Sequence, residues 1–409
     1  MKILYINHYA GSPAHGMEFR PYYLAREWVR AGHEVNIVAA DFSHLRQNNP
    51  ELGKAYADQV IDGIRYTWCR TPRYEGNGAK RVVNIFAFLR RLMGLSGRFL
   101  RDWKPDLVIA SSTYPLDTVP AAFIAGKTGA RLAYEVHDLW PLTPVEVGGM
   151  SPKHPFIRLL QWAEDFGYRK ADTVVSMLPC AKDYMLSHGM APGKYAVVPN
   201  GVDVAEWQGE PLPLPDAHRA LLEGLRADGR FIVGYAGGHG LANALDFLLE
   251  AAAGLTDSRA AFVLVGDGPD KTALEGEARR LGLANVHFLP AIPKRAVPAF
   301  LAATDALYIG WRKLPIYRFG INPNKLFDYM MAGKPVIHSV DAGNDIVAAA
   351  ACGISVAAED PAAIAQGVRA MMAKTPNERG RLGAAGRQYV LANHDYKVLA
   401  RRFIDACCP

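Results

Sequence analysis

Two hydrophobic patterns alternate along most of the chain. Short runs of consecutive apolar residues indicate strands buried on both faces of a sheet, and apolar residues three or four positions apart indicate amphipathic helices. Because the two patterns alternate, they predict an α/β protein with parallel sheets. The predicted strands cover residues 2–7, 35–39, 106–110, 132–136, 173–177, 195–198, 231–235, 262–265, 286–289 and 306–309, and the predicted helices include 17–30, 80–101, 241–253, 325–331 and a C-terminal tract, 382–407, broken near 393–395.

The length of the chain favours two domains. At 409 residues it exceeds the roughly 250–300 residues at which a single hydrophobic core stops growing. After the run PNGVD, residues 199–203, comes GEPLPLPDA, residues 209–217, whose prolines and lack of apolar periodicity are typical of a linker. We therefore predict one domain over residues 1–200 and a second over residues 201–392.

Charge and cysteine usage narrow the class of protein. The net charge of +6 is a modest excess without a basic low-complexity arm, so nucleic acid is not an expected partner. Five cysteines stand without C-x-x-C spacing, which argues against a zinc site or a disulfide framework and favours a reducing cytoplasm. No apolar run approaches the roughly 20 residues that span a bilayer. We expect a cytoplasmic protein, soluble or peripheral to a membrane.

The stretch RFGINPNKLFDYMMAGKPVI, residues 318–337, carries the strongest chemical signal. Asn324 is a good N-cap for the helix that follows, and the free N–H groups at a helix N-terminus attract phosphate, here helped by Lys325. Asp328 lies about one turn deeper, where a carboxylate could accept two hydrogen bonds from a ribose diol. The stretch therefore predicts a site for a nucleotide diphosphate.

A glycine loop in the second half repeats this chemistry. The strand at 231–235 leads into Gly237-Gly238-His239-Gly240, and a helix is predicted from residue 241. Bare glycine backbone can approach an anion closely. The loop is not a P-loop, because no Lys-Ser or Lys-Thr follows its last glycine.

His137 and Asp138 directly follow the predicted strand at 132–136. Sites in open parallel sheets form outside the carboxyl ends of the strands, so this pair is a candidate for catalysis. A single histidine is more often structural, but a His-Asp pair at such a strand end favours function.

Residues 80–101 combine helical apolar spacing with a basic opposite side. Such a helix can lie on an anionic membrane surface, or it can pack against its own sheet with a solvated cationic face, and both interpretations stay open. The apolar positions are Val82, Ile85, Phe86, Leu89, Leu92, Met93 and Leu100, and the polar ones are Lys80, Asn84, Arg91, Arg98 and Arg101. The predicted membrane contacts are Arg91, Arg98 and Arg101.

The central stretch resembles the signature of family 4 glycosyltransferases, retaining enzymes of the GT-B fold. In that signature a glutamate, seven residues and a second glutamate precede A-G-x-P-V-I. Here residues 332–337 read AGKPVI, Asp328 takes the second acidic position, and Gly320 stands at the first. The sequence is similar to the branch with a G-x-S/N-P-N-K-x-F-D-Y-M version, which is associated with bacterial surface polysaccharides and with N-acetylated or deoxy sugars. The PNGVD run recurs in the same family at the domain junction.

The resemblance implies two Rossmann-like domains facing a central cleft. The first domain would bind the acceptor, the second would bind the nucleotide sugar, and the helix at 393–409 would cross back onto the first. It also implies that His137 contacts the donor sugar, and that Asp138 orients its loop or meets the acceptor. The donor-binding set is then Gly16, Gly237, Gly238, His239, Asn243, Ile292, Gly320, Ile321, Asn322, Asn324, Lys325 and Asp328.

Two departures from the family shape these expectations. Gly320 replaces a carboxylate that contacts donor-sugar hydroxyls, and Asn243 with the glycines replaces an arginine-lysine pair that neutralises the diphosphate. Lys325 would then carry most of the charge compensation, helped by Arg312, Lys313 or Arg318. The family turn that reads the base is matched by the chain around Ile292.

Together these features predict a retaining glycosyltransferase that moves a sugar from a nucleotide diphosphate, UDP being the favoured nucleotide, to a lipid-linked or oligosaccharide acceptor. No cofactor or metal is expected, because the chain lacks the Asp-x-Asp pair that holds a divalent ion in the other large glycosyltransferase fold. Two alternatives remain. One is a UDP-sugar 2-epimerase of the same fold, which needs acidic groups around the sugar, and the other is a non-catalytic scaffold that binds a nucleotide sugar.

Overall fold

The computed structural model describes residues 1–16, 19–76 and 78–409. Met17 and Glu18, which begin the helix predicted at 17–30, therefore lie outside the described residues. The chain divides into two compact units, Met1–Asn200 with Tyr396–Pro409 as unit 1 and Gly201–Asp395 as unit 2.

Unit 1 is organised around an eight-stranded sheet, as counted over its described residues. The order is β3-β4-β2-β1-β5-β6-β7-β8, and all neighbours run parallel except β3 and β4. The strands and helices in chain order are β1 (Lys2–Ile6), α1 (Phe19–Arg30), β2 (Glu34–Ala40), β3 (Tyr56–Ile61), β4 (Ile64–Cys69), α2 (Ala79–Arg101), β5 (Leu107–Ala110), α3 (Thr118–Thr128), β6 (Arg131–Val136), α4 (Leu142–Glu146), α5 (Pro155–Lys170), β7 (Thr173–Ser176), α6 (Lys182–Ser187) and β8 (Tyr195–Val197).

Strand β1 is the centre of this sheet. Its four residues from Ile3 to Ile6 are fully buried, because the strand lies between β2 and β5 with helices on the faces. The order of strands reverses between β1 and β5, which makes the carboxyl ends of these two strands the topological switch point of unit 1.

Unit 2 repeats the design with six parallel strands among its described residues, in the order β11-β10-β9-β12-β13-β14. Its switch point lies between β9 and β12. The elements are α7 (Asp216–Ala227), β9 (Phe231–Ala236), α8 (Leu245–Ala253), β10 (Ala260–Val265), α9 (Lys271–Arg280), β11 (Val286–Leu289), α10 (Val297–Ala302), β12 (Ala306–Gly310), α11 (Asn324–Met331), β13 (Val336–Ser339), α12 (Ile346–Ala349), β14 (Gly353–Val356), α13 (Pro361–Ala373) and α14 (Pro376–Asn393).

The proline-rich segment at 209–217 lies within unit 2 and is not a linker. The N–H of Leu212 donates to the carbonyl of Arg295 at 2.9 Å, and Leu214 packs against the core of the unit. The helix predicted from residue 241 also begins later, because Leu241–Asn243 form a short 3-10 turn and Ala244 adopts a positive φ of 48° before α8.

The last helix, α15 (Tyr396–Cys407), belongs to unit 1. It packs on α1, where the rings of Tyr23 and Tyr396 stack at 4.9 Å and the indole N–H of Trp28 donates to the carbonyl of Ala400 at 2.9 Å. Among the described helices, none has the length and apolar character needed to cross a membrane.

Candidate active site

Helix α11 is anchored at the switch point of unit 2 by a tyrosine. The hydroxyl of Tyr329 accepts from the N–H of Ala236 at 2.8 Å and donates to the carbonyl of the same residue at 3.1 Å, and Ala236 is the last residue of β9. Leu326, Phe327 and Met330 are fully buried beneath the helix. The N-terminus of α11 therefore sits where α/β sheets usually bind ligands.

The entry to α11 differs from the sequence prediction in its cap. Pro323 occupies the N-cap position, and Asn324 is an exposed first helical residue whose side chain does not cap the helix. Proline has no side chain that can cap a helix, so no side chain caps α11. The amides of Asn324 and Lys325 also have no backbone acceptor within the described residues. The expected capping role of Asn324 is wrong, but the free donors that it was meant to introduce are present.

Lys325 joins α11 to the glycine loop after β9. Its ammonium donates to the hydroxyl of Tyr235 at 2.9 Å and to Oδ1 of Asn243, and it lies 4.8 Å from the centre of the Tyr235 ring. A Cβ on Gly237 would come within 3.3 Å of the ammonium, so the loop passes close to it. Burial lowers the pKa of Lys325 to about 8.

The glycine loop presents some of its amides and uses others internally. The N–H groups of Gly237 and His239 donate to the carbonyls of Val265 and Asp267, whereas those of Gly238 and Gly240 make no hydrogen bond within the described part of the chain. The carbonyl of Gly238 accepts from Tyr235 at 2.6 Å. Only the second and fourth positions of the loop are therefore left to bind an anion.

His239 does not point into this site as its place among the donor-binding residues implied. Its side chain is fully buried against the rings of Tyr235 and Phe288. Burial, with Lys271 nearby, lowers the pKa of the imidazole, so the ring is held in its neutral form. His239 fills the space under the loop, and its backbone N–H is already bonded.

A second glycine turn, Gly266-Asp267-Gly268, packs directly on the first. A Cβ on Gly266 would lie 1.9 Å from the carbonyl oxygen of Gly237, and a Cβ on Gly268 would lie 2.3 Å from that of His239. Because real side chains cannot approach so closely, both positions need glycine. The sequence showed this turn at a strand end without revealing that it supports the anion-facing loop.

The chain before α11 is fixed by its backbone. Gly320 has φ 103° and ψ 164°, a conformation that is nearly restricted to glycine. The N–H of Ile321 donates to Oδ1 of Asn344 at 2.7 Å, and the carbonyl of Ile321 accepts from the Asn344 amide at 3.1 Å. The amide of Ile321 is thus used internally, its side chain is buried, and Asn322 beside it is half-buried.

Asp328 lies one turn into α11 beside Trp207, which reaches its carboxylate. Burial raises the pKa of Asp328 to about 6, with Lys294 opposing the shift and Glu206 adding to it. Asp328 is therefore a poorly solvated carboxylate, and in such surroundings a hydrogen bond to a hydroxyl is strongest.

Ile292 follows the end of β11 and packs half-buried against the core of the unit.

The auxiliary cations proposed from the sequence have other contacts. Arg312 forms an ion pair with Asp246 at 2.7 Å, and Arg318 donates to the carbonyl of Pro315 at 2.6 Å. The backbone N–H of Lys313 donates to Glu359 at 3.1 Å, and its side chain is exposed. Lys325 lies against the glycine loop, and Arg312 also donates to the carbonyl of Leu241, directly after the loop, at 3.2 Å.

In unit 1 the polar residues gather at the ends of β5 and β6. Nε2 of His137 lies 2.8 Å from the hydroxyl of Ser111 and 3.3 Å from a carboxylate oxygen of Glu135. The His137 side chain is 15% exposed, so its ring is accessible at one edge. His137 is therefore positioned by two partners that the sequence did not identify.

Glu135 is the centre of this network. It is fully buried and accepts from the hydroxyl of Tyr5 at 2.6 Å, from Ser111 at 2.6 Å and from two nitrogens of Arg20 at 2.9 and 2.8 Å. Burial alone would raise the pKa of Glu135, but Arg20 and His137 outweigh it and hold the pKa well below its usual range. A charged carboxylate thus lies behind His137.

Asp138 organises its own loop. Its carboxylate accepts from the N–H of Leu139 at 2.9 Å and from the hydroxyl of Thr143 at 2.8 Å. Burial raises the pKa of Asp138 despite these two hydrogen bonds. These contacts place Asp138 as a residue that orients the chain after β6.

Gly16 closes a turn in the loop after β1. It has a φ of 89°, its N–H donates to the carbonyl of Ser12 at 3.1 Å, and a Cβ there would meet the Gln47 side chain at 2.9 Å. Glycine is required by this conformation and by its close neighbour.

Helix α2 exposes a different side from the one that the sequence pattern predicted. Phe86 and Met93 belong to the apolar side of the pattern and are 45% and 40% exposed. Asn84 was expected on the polar side, but it is buried and donates to Thr71 at 2.9 Å and to the carbonyl of Pro72 at 2.7 Å. These hydrogen bonds turn the helix so that part of its apolar side faces outward.

The three arginines of α2 that were expected to contact a membrane have three different surroundings. Arg98 donates to both oxygens of Asp58, at 3.0 and 2.5 Å, and is largely covered. Arg91 is half-buried at a cavity, and Arg101 is exposed. The three arginines therefore differ in exposure, although their spacing places them on one side of the helix.

Comparison with known proteins identifies the class. Residues 15–201 match the family described as "Glycosyl transferase 4-like domain", and residues 230–374 match "Glycosyl transferases group 1". The chain belongs to the glycosyltransferases. Its relatives include WcaI of Escherichia coli K12, named as a colanic acid biosynthesis glycosyl transferase, at 25% identity over 332 residues, 78% of this chain and 79% of that protein.

Solved structures agree on the fold of this glycosyltransferase. Sucrose-phosphate synthase of Thermosynechococcus elongatus has a TM-score of 0.71 at 18% identity, covering 99% of this chain and 97% of that one. Anabaena HepE in complex with UDP has a TM-score of 0.68 at 16% identity, covering 99% of both chains. The predicted GT-B fold is confirmed, as is the prediction of a glycosyltransferase enzyme.

One cluster in the glycosyltransferase has the residue types of a metal site. Single ligand atoms of Glu164, Asp165 and His188 lie within 4.8 Å of one another. Glu164 already accepts from the hydroxyls of Tyr168 and Tyr184, both at 2.9 Å, and burial raises its pKa to about 8. Because Gln161 also donates to Glu164 at 2.9 Å, the cluster fits an internal hydrogen-bond network.

Proposed function

We propose that this glycosyltransferase moves a sugar from a UDP-linked donor to an acceptor with retention at the anomeric carbon. The observation that carries the proposal is the convergence of the Lys325 ammonium, the N-terminus of α11 and the glycine loop after β9 in unit 2. These groups are positive or are hydrogen-bond donors, and they are fixed before any ligand arrives.

The chemistry of sugar transfer requires such a site. When the nucleotide diphosphate leaves, negative charge develops on its phosphate oxygens while the sugar becomes cationic. Donors already aimed at that charge stabilise it without reorganisation. The amides of Gly238 and Gly240 and the ammonium of Lys325 supply those donors without a metal ion.

We assign Asp328 to the ribose and His137 to the donor sugar. Asp328 follows Lys325 by three positions on α11. It therefore lies about one helical turn from the ammonium and amide groups that would hydrogen-bond to the diphosphate. His137 is held by Ser111 and by the buried carboxylate of Glu135, which fix its ring with one edge accessible to a donor sugar.

For the acceptor we propose a lipid-linked or oligosaccharide intermediate of bacterial surface polysaccharide synthesis, and for the donor an N-acetylated or deoxy sugar. The name of the WcaI relative supports a polysaccharide product. Glycine at position 320 supports an unusual sugar, because no side chain can contact the hydroxyls that a carboxylate would bind.

We further propose that the protein works at the cytoplasmic face of the cell membrane through α2. Phe86 and Met93 are exposed on this helix, and Arg101 is exposed in its last turn, a combination that suits an anionic bilayer surface. Phe86→Asp should weaken sedimentation with anionic vesicles, whereas Val60→Asp, at an exposed residue of β3, should not. Equal sedimentation of both variants would contradict the membrane assignment.

The test of the function is a donor panel with and without acceptor. Transfer releases UDP and consumes acceptor, epimerisation changes the donor without releasing UDP, and a scaffold does neither. The anomeric coupling constants of the product, measured by NMR, report retention. His137→Ala should lower kcat by at least tenfold with little change in UDP affinity, and no release of UDP from any donor by the parent protein would overturn the proposal.

A further inference from the structure

Unit 1 contains a cavity outside the His137 network. It has a volume of about 630 Å³ and lies between the chain after β2, the loop at 50–52, the chain after β4 and helix α2. Four of its described lining residues are arginines, namely Arg70, Arg73, Arg90 and Arg91. The cavity is at the carboxyl ends of two neighbouring parallel strands, where α/β sheets bind ligands.

These arginines are poorly compensated by the protein. Arg70, Arg90 and Arg91 make no side-chain hydrogen bond or ion pair within the described residues, and Arg73 comes no nearer than 3.7 Å to the exposed carboxylate of Glu51. Arg20, by contrast, is held by Glu135 at 2.8 Å. Within the part of the chain that the structure describes, three guanidinium groups without a protein partner and a fourth that is weakly paired thus line one cavity.

Two acidic residues line the cavity, Asp41 and Glu51, and neither forms a close ion pair with its arginines within the described residues. Asp41 accepts from the N–H of Thr71 at 2.8 Å and from its hydroxyl at 3.1 Å. Burial raises the pKa of Asp41, and within the described residues its carboxylate forms no ion pair with an arginine of the cavity. Glu51 stands on the exposed loop, 3.7 Å from Arg73, and is screened by solvent.

Guanidinium groups that line one cavity repel one another, and an anion bound between them removes that repulsion. Phosphate oxygens suit this arrangement, because a guanidinium can donate two parallel hydrogen bonds to a phosphate. A diphosphate offers enough oxygen acceptors for three or four arginines, and the cavity volume matches the size of common ligand pockets.

The outer surface next to the cavity is apolar. Val83, Phe86 and Met93 are 57%, 45% and 40% exposed, and their spacing places them on one side of α2. Arg90 falls between them on the same side, and Ala87 also lines the cavity. An anionic pocket ligand with a hydrocarbon chain would therefore find a site for each of its parts.

We propose that this arginine cavity binds the diphosphate of a lipid-linked acceptor, whose hydrocarbon chain lies along the apolar side of α2. The acceptor role rests on the proposed function, whereas the binding of a lipid diphosphate does not. The assignment names Arg70, Arg90 and Arg91 as ligands of the diphosphate and gives Val83 and Phe86 contact with the chain.

The experiment is a titration of the full chain with farnesyl diphosphate, inorganic pyrophosphate and farnesol in the presence of saturating UDP, which occupies the diphosphate site of unit 2. We expect farnesyl diphosphate to bind at least tenfold more tightly than the other two probes. Arg90→Gln/Arg91→Gln should weaken its binding at least tenfold. The matched control, Arg158→Gln/Lys127→Gln, neutralises two exposed cations of unit 1 outside the cavity and should leave binding unchanged.

Three results would overturn the assignment. The first is that the cavity variant and the parent bind farnesyl diphosphate with equal affinity. The second is equal affinity for pyrophosphate and farnesyl diphosphate, which indicates a site for a free anion. The third is equal affinity for farnesol and farnesyl diphosphate, which indicates a purely apolar site. Circular dichroism and melting temperature confirm that the variants fold. If farnesyl diphosphate behaves as expected but no nucleotide sugar is bound, the proposed function fails and the lipid diphosphate site stands.

Discussion

The ammonium of Lys325 lies 2.9 Å from the hydroxyl of Tyr235, and burial holds its pKa at about 8. This lysine is therefore charged at neutral pH but loses its proton in mildly alkaline solution. A diphosphate would bind to the ammonium and not to the amine, so the affinity of unit 2 for its nucleotide becomes sensitive to pH in that range.

The first prediction concerns this alkaline limb. UDP affinity, measured by isothermal titration calorimetry, should fall as the pH rises above about 8, because binding must then restore a proton to Lys325. Lys325→Met should bind UDP at least tenfold more weakly at pH 7 and should lose the alkaline dependence. Lys374→Met, outside the site in unit 2, serves as the control. An unchanged pH profile in Lys325→Met would contradict the role of the ammonium.

The second prediction concerns the acidic limb. Burial raises the pKa of Asp328 to about 6. The carboxylate that is proposed to accept hydrogen bonds from the ribose therefore becomes protonated as the pH falls below that value. UDP affinity should decrease between pH 6 and pH 5, and Asp328→Asn should weaken binding at pH 7 and flatten this limb. Asp257→Asn, at an exposed position, should behave like the parent. Identical acidic limbs in the parent and Asp328→Asn would show that another group titrates.

The third prediction explains why a glycine stands at the first acidic position of the family signature. The φ of 103° and ψ of 164° at Gly320 cost a non-glycine residue about 1–3 kcal/mol. Gly320→Ala and Gly320→Glu should both destabilise unit 2 by that amount, and the glutamate should not increase turnover. Denaturant unfolding measures the change in stability.

A glycine in ordinary helical backbone provides the control for this comparison. Gly380 lies in α14, and a Cβ there would meet no atom within 4 Å. Gly380→Ala should therefore be neutral or stabilise the protein by up to about 1 kcal/mol. If Gly320→Glu is as stable as the parent and more active, the backbone at this position accepts a side chain without strain.

The sequence predicted most strands of the two parallel sheets but missed the buried strands β4 and β13. The run at 286–289 matches the half-buried edge strand β11 residue for residue, because a short, mostly apolar run between turn residues has few other interpretations. The antiparallel strand β3 was missed, since its residues YADQVI are mostly exposed and follow no apolar pattern. The Asp62-Gly63 pair at the hairpin turn was the available signal, and both residues have positive φ.

The chemistry of the site was predictable only where neighbours in sequence provide it. Lys325 and Asp328 were found because a helix fixes their spacing. Glu135 was missed, because one carboxylate in a buried strand does not reveal that its partner, Arg20, lies 115 positions away. The orientation of α2 was also wrong in part, since the hydrogen bond from Asn84 to Thr71 depends on how the helix meets the end of β4.

The fourth prediction concerns the buried pair of Arg20 and Glu135, whose side chains are 4% and 0% exposed. Glu135→Gln leaves the guanidinium without a charged partner and should destabilise unit 1 by about 3–5 kcal/mol. The depressed pKa of Glu135 means that the parent holds this stability above about pH 4.5 and loses it as the pH falls further, so the difference between parent and variant should shrink in acid. Unfolding in guanidinium chloride, followed by tryptophan fluorescence, measures this difference in stability, since Trp28 and Trp68 lie in unit 1.

Two further variants separate the buried charge from a general loss of packing. Glu51→Gln removes the exposed partner of Arg73 and should change stability by less than about 1 kcal/mol. Arg20→Met/Glu135→Gln removes both buried charges. Its loss of unfolding free energy should fall well below the sum for the two single substitutions, because no buried charge is left without a partner. Additive costs would mean that the two residues stabilise unit 1 independently and that the carboxylate behind His137 is not held in place by the arginine.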